Sequence, residues 1–231
     1  MRIAAYTAIM GGYDKLQPHV EVPGIDWYAF IEGPSPAEPT PWRTDWRITW
    51  TPPADNPRPD AKTYKVLGPE MWFADYDATV WLDGSHEVSD ARFFEVALAS
   101  LGPDGFALHR HPMRDCIYEE AAASIAYPRT GDGLAVLKYG GMPIAQQVEA
   151  YRAAGHPEHA GLWACGSIAR VVSPKMDCLM RAWWHEIVTW SVQDQISLPF
   201  VCRVAGVQPV AFPWDQYQNP YVRIHRHTDG T

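Results

Sequence analysis

The chain has 231 residues, enough for one domain that buries roughly 70% of its unfolded surface without metal or disulfide staples. A formal net charge of −8 argues against general affinity for nucleic acid, which rests on neutralising phosphates. The four cysteines, Cys116, Cys165, Cys178 and Cys202, form no Cys-x-x-Cys pair, so the expectation is reduced thiols in a cytoplasmic protein, with neither a zinc site nor a disulfide framework.

The first apolar run, residues 2–10, reads as a strand and ends in Gly11-Gly12, which lets the backbone turn sharply or approach a ligand. Further strands are expected at 27–32, 46–51, 78–82, 106–110 and 166–172, with Pro-rich loops at 33–42 and 52–59. A helix is expected over 144–154, with Ile144, Val148 and Tyr151 on one side and Gly155 as its stop. A longer one, 173–190, has Ser173 as N-cap, Pro174 at the first helical position, and Met176, Leu179, Met180, Trp183 and Ile187 on one face. Strands alternating with helices predict an α/β fold: a mostly parallel sheet covered on both faces, in a single domain over 1–231. No run reaches the about 18 apolar residues of a membrane span. The eleven tryptophans and eleven tyrosines suit sugar rings as well as cores, and core packing is the simpler reading for most.

Four clusters and the tail carry polar residues that a plain core does not require. In the first, 6–16, Tyr6, Thr7, Gly11 and Gly12 frame a turn that can cradle a base or ribose through backbone groups; a plain tight turn is the alternative. The second, 61–85, places Lys62 and Lys65 on one helix face shortly before Asp83-Gly84-Ser85. An apolar strand ending in Asp83 puts a carboxylate at the carboxyl edge of the sheet, where open α/β folds bind ligands. The lysines would serve a diphosphate and Asp83 a metal or ribose hydroxyl; an ordinary solvated helix is the alternative.

The third, 109–122, crowds His109, Arg110, His111 and Arg114 before a helix for which Asp115 reads as the N-cap, so His111, Arg114 and Asp115 are candidates for donor-phosphate or acceptor contacts. In the fourth, 191–200, Asp194 interrupts the exit of the long helix, away from the favourable end of its dipole. It is a candidate general base with Gln195 beside it at the acceptor, or else an ion-pair partner of an arginine. In the tail, His225 and His227 alternate and would share a side in an extended segment.

These blocks resemble, in order, those of the domain family DUF616, a family of glycosyltransferase-like domains of GT-A-like fold. The matching stretches are YTAIMGGYD, AKTYKVL, DYDATVWLDGS, RHPMRDCIYEEA, YRAAGHP with GLWACGSIARVV, and SVQDQISLPF, spanning roughly residues 3 to 202. The resemblance implies a Rossmann-like nucleotide-sugar fold, with the donor over the carboxyl ends of the parallel strands and Mn²⁺ or Mg²⁺ at Asp83. Such enzymes usually carry Asp-x-Asp, whereas here Ser85 holds the third position. One carboxylate plus donor phosphates and water can still hold the ion, and His225 or His227 would supply the C-terminal histidine ligand.

The expected activity is transfer of a sugar from a nucleoside diphosphate donor to a hydroxyl acceptor of a protein, a glycan or a modified nucleic acid. Asp83, Arg114 and Asp194 are its catalytic candidates, and no membrane partner is expected. A non-catalytic carbohydrate-binding scaffold and a nucleotidyltransferase on a similar fold are the rivals.

Overall fold

The computed structural model describes residues 1–33, 46–52, 57–126 and 139–225. In chain order its elements are β1 (Ile3–Ile9), β2 (Ile25–Glu32), β3 (Trp46–Thr51), α1 (Pro57–Trp72), β4 (Ala78–Leu82), β5 (His86–Val88), α2 (Arg92–Ala99), β6 (Phe106–Arg110), α3 (Ile117–Ala126), α4 (Ile144–Ala153), β7 (Trp163–Val171), α5 (Pro174–Thr189), α6 (Asp194–Ala205), β8 (Val210–Ala211) and β9 (Val222–Ile224). All six strands read from the sequence are present. The short β5, β8 and β9 lack the apolar runs that made the others legible. Residues 34–45 and 53–56, which hold most of the expected Pro-rich loops, lie outside the described residues, and the second of those loops gives way to α1 at Pro57.

Seven strands form one sheet in the order β3-β2-β1-β4-β7-β6-β8. Neighbours pair in parallel except β7, which runs antiparallel to both β4 and β6. A separate antiparallel pair, β5 with β9, sets His86 opposite Ile224 and Glu87 opposite Arg223. The alternation of side chains divides β1 between two cores. Ala4, Tyr6 and Ala8 face α1, α5 and α6 through Val66, Trp183 and Leu198, with Phe73 just beyond α1 in the same cluster. Ile3 and Ala5 face α2 through Phe93, Phe94 and Ala97. Helices therefore cover both faces, as the alternating pattern predicts.

The long helix forms as its sequence dictates: Ser173 Oγ accepts from Met176 N at 3.3 Å, Pro174 opens the first turn, and all five stripe residues are buried. Among the described residues, no helix is long and apolar enough to cross a membrane.

Candidate functional site

β1 has β2 on one side and β4 on the other, so chain progression reverses between β1 and β4, whose parallel pairing sets their carboxyl ends side by side. In open α/β sheets that reversal is where ligands bind. β4 delivers Asp83 there. All five of its residues are buried, which fixes the strand, and Trp81, two positions earlier, donates its Nε1 to Asp83 Oδ1 at 2.6 Å. The turn is tied down by Asp83 N to Gly166 O and by His86 N to Asp83 O, both 2.8 Å.

Gly84 sits at a close approach. A Cβ there would lie 3.0 Å from Asp14 Oδ2 and 3.1 Å from Ile9 Cγ1, so the loop after β1 packs tightly against the turn. Asp14, absent from the residues singled out in the sequence, thus borders the same turn as Asp83.

Beneath Asp83 is a buried charge cluster. α1 presents Lys62 and Lys65 inward, and α6 meets them with Asp194. Asp194 Oδ2 stands 2.5 Å from Lys62 Nζ and 2.8 Å from Lys65 Nζ, and Lys65 Nζ lies 3.2 Å from Asp83 Oδ1. The lysines are not on a solvated face: Lys65 is 1% exposed. Burial alone would lower the Lys65 ammonium, but Asp194 and Asp83 outweigh it and raise its pKa. Burial dominates for Lys62 and lowers its pKa, opposed by Asp194. Burial pushes both carboxyls up, yet the two lysines overcome it and hold Asp83 and Asp194 below the usual range.

Asp194 differs from its reading in sequence. α5 ends at Thr189 and Asp194 opens α6, so the acid stands at the favourable end of a second helix dipole. Pro199 inside that helix hid it in the sequence, while Gly206, left-handed at its C-cap, marks its end. With two ammonium partners and a depressed pKa, Asp194 is a poor base.

The remaining sequence candidates divide. Tyr6 is fully buried in the core; its hydroxyl donates to Lys65 O at 2.9 Å and receives a hydrogen bond from Arg170, which also donates to Lys65 O. Thr7 is likewise buried. Gly11 and Gly12 do turn the chain, both at positive φ, and Gly11 N donates to the Glu32 carboxylate. Ser85 is buried, with Oγ 3.3 Å from His86 Nδ1.

The crowded bases have a structural partner after all, because Glu120 is buried among them. Arg114 Nε donates to Glu120 Oε2 at 2.7 Å, His111 Nε2 lies 3.7 Å from the same oxygen, and Gln193 Nε2 donates to Oε1 at 2.7 Å. This network reaches Asp194 through its neighbour Gln193. Asp115 is exposed and meets His159 Nδ1 at 2.6 Å rather than capping α3. With Glu119 these two form a surface group whose ligand atoms lie within 4.8 Å of one another. Gln195 buries Oε1 with no hydrogen-bond partner among the described residues. His225 hydrogen bonds through its backbone to Ser85 O at 2.8 Å, but its ring pairs with Glu87 at 2.6 Å. His227 lies outside the described residues.

Beside the Asp83 turn is a cleft of about 210 Å³ lined by Ile9, Asp14, Lys15, Leu16, Ile31, Ile48 and Trp50. Ile9, Ile31 and Trp50 are register partners on three adjacent strands, forming one apolar row at their carboxyl ends. No family model matches the chain and no curated protein matches it, so the resemblance to DUF616 rests on the quoted motifs alone.

Proposed function

We propose that this chain is a glycosyltransferase of GT-A-like fold that moves a sugar from a nucleoside diphosphate sugar to a hydroxyl acceptor. The observation that carries this reading is Asp83 at the sheet's reversal point. Trp81 and Lys65 fix its Oδ1, while the side chain as a whole remains 39% exposed. The four parallel strands β3-β2-β1-β4 followed by one antiparallel strand support it.

The adjoining cleft supports it too. At about 210 Å³ it is below the roughly 300–1,000 Å³ of sites that enclose a whole drug-sized ligand, and so suits one flat base. Ile9 and Asp14 line the cleft and also touch Gly84, so a base there and a diphosphate at Asp83 would be neighbours.

In the transfer, the bond from the anomeric carbon to the diphosphate oxygen breaks, its electron pair staying on the diphosphate, while the acceptor oxygen bonds to that carbon and its hydroxyl proton passes to the released diphosphate or to solvent. Lys62, its side chain 22% exposed, is the lysine with access to the developing charge. Lys65 stays behind it and holds Asp83 in place. Asp194 is assigned to positioning both lysines and not to removing the acceptor's proton. An exposed carboxylate with one oxygen already fixed fits a divalent cation, which when bound would neutralise charge on the leaving diphosphate.

The test is a screen of nucleoside diphosphate sugars with Mn²⁺, with Mg²⁺ and with EDTA, reading the released nucleotide. Release of a nucleoside diphosphate is expected. Release of pyrophosphate would identify a nucleotidyltransferase, and sugar binding indifferent to the nucleotide would identify a lectin-like module.

A further inference from the structure

His86, three residues beyond Asp83, has a histidine's chemistry but no visible structural use for half of it. It is 8% exposed, and its Nε2 is fully enclosed without a hydrogen-bond partner among the described residues. An unpaired buried imidazole nitrogen costs stability, so its retention calls for another role. Its orientation is fixed: β5 pairing holds the backbone, and Ser85 Oγ engages Nδ1 at 3.3 Å. When Nδ1 donates to Ser85, Nε2 carries the lone pair, which is how a neighbouring hydrogen bond prepares a histidine to ligate a metal.

Nε2 and the Asp83 carboxylate converge on one bare backbone position. A Cβ built on Gly166 would lie 2.7 Å from His86 Nε2 and in ordinary contact, at 3.6 Å, with Asp83 Oδ2, so glycine is what leaves the imidazole where it is, beside the carboxylate. Asp83 Oδ1 is engaged by Trp81 and Lys65, leaving Oδ2 without a hydrogen bond among the described residues. Asp14 at Gly84 adds a second negative charge at the turn.

We propose that His86 Nε2 and Asp83 Oδ2 ligate the same divalent cation, so that Asp-Gly-Ser-His replaces the missing second acid with an imidazole one position later. Ser85 orients that imidazole. Diphosphate oxygens and water complete the coordination, as they do where a protein gives one or two side chains. The assignment deepens the glycosyltransferase reading and rests on it for the ion's use, but not for its binding. His225 is not needed as the histidine ligand, since its ring is paired with Glu87.

The experiment is Mn²⁺ binding to the full chain with UDP or GDP, followed by isothermal titration and by electron spin-echo modulation, which detects a directly bound nitrogen. A ¹⁴N signal is expected in the wild type and in the His225→Ala/His227→Ala variant. His86→Gln should lose it and weaken Mn²⁺ binding at least about 10-fold. A nitrogen-free Mn²⁺ signal, a signal that persists in His86→Gln, or no Mn²⁺ binding at millimolar concentration overturns the assignment.

Should His86→Gln fail to fold, ¹⁵N-histidine labelling of the wild type with Cd²⁺ titration reads the same bond: one enclosed imidazole Nε2 must shift, and unchanged resonances refute it. Nitrogen-bound Mn²⁺ without sugar transfer to any acceptor would leave this site standing and remove the glycosyltransferase reading instead.

Discussion

Lys65 and Asp194 join the first and last helices of the described α/β core by an ion pair of 2.8 Å, with both side chains almost wholly enclosed. Asp194 is shared with Lys62 and Lys65 with Asp83, so two cations and two anions balance under the candidate site. Removing one member leaves a buried charge uncompensated. Lys65→Ala should therefore cost about 3–5 kcal/mol in denaturant unfolding, whereas Lys65→Met combined with Asp194→Leu should recover a large part of that loss. Additive losses in the double variant would show that the pair is not the source.

Asp83→Asn tests the site with a lighter structural load, because the Asp83 side chain is 39% exposed and Asp194 still faces both lysines. Turnover should fall about 10²- to 10³-fold, with a smaller loss of stability than Lys65→Ala. Near-normal transfer would remove Asp83 from the donor site.

Asp194 makes a contrasting prediction. Burial raises its carboxyl, but Lys62 and Lys65 hold it well below the usual range, so it stays ionised throughout the working range of pH. Asp194→Asn should lower activity while leaving the acid limb of the kcat/KM–pH profile in place; a general base would take that limb with it. The linkage sign follows from the depressed pKa. Asp194 stabilises the fold above the ordinary aspartate range near about 4, and that contribution is lost as pH falls below it.

The strands were legible in the sequence because most are short runs rich in apolar residues with Gly, Pro or Asp close behind, and α5 because Ser173, Pro174 and its stripe agree. The charge cluster was half legible. Spacing put Lys62 and Lys65 on one face, but only the packing of α1 on α6 shows that the face points inward. Asp194 was misplaced onto the exit of α5 because Pro199 disguises a second helix. Glu120 was not legible as the partner of the crowded bases, since nothing local reveals that Gln193 and Arg114 converge on it. His86, Asp14 and Gly166 come together through β5, the loop after β1 and β7, a long-range relation with no signature at any one position.

Tyr6 separates a core role from the donor contact expected of it. Its hydroxyl links Arg170, which is 0% exposed, to the α1 carbonyl of Lys65. Tyr6→Phe leaves a buried guanidinium short of an acceptor and should cost about 1–3 kcal/mol in stability. Nucleotide affinity, measured by calorimetry on the folded variant, should stay within error. A large loss of affinity at unchanged stability would return Tyr6 to the donor site.

The cleft supplies the sharpest distinction between a nucleotide site and a simple surface groove. Trp50 is the one aromatic among its lining residues, in register with Ile31 and so level with Ile9. A flat base entering there has an indole to stack on beside aliphatic carbons, an arrangement that suits any base. Trp50→Ala should weaken binding of a nucleoside diphosphate by about 1–3 kcal/mol, the range of base–aromatic stacking. The loss should appear equally with the nucleoside monophosphate, because the cleft would hold the base. Inorganic pyrophosphate, which has no base, should bind the variant as it binds the wild type. Equal weakening for pyrophosphate would place Trp50 at the phosphates, and no weakening for any of the three would mean that the base lies elsewhere.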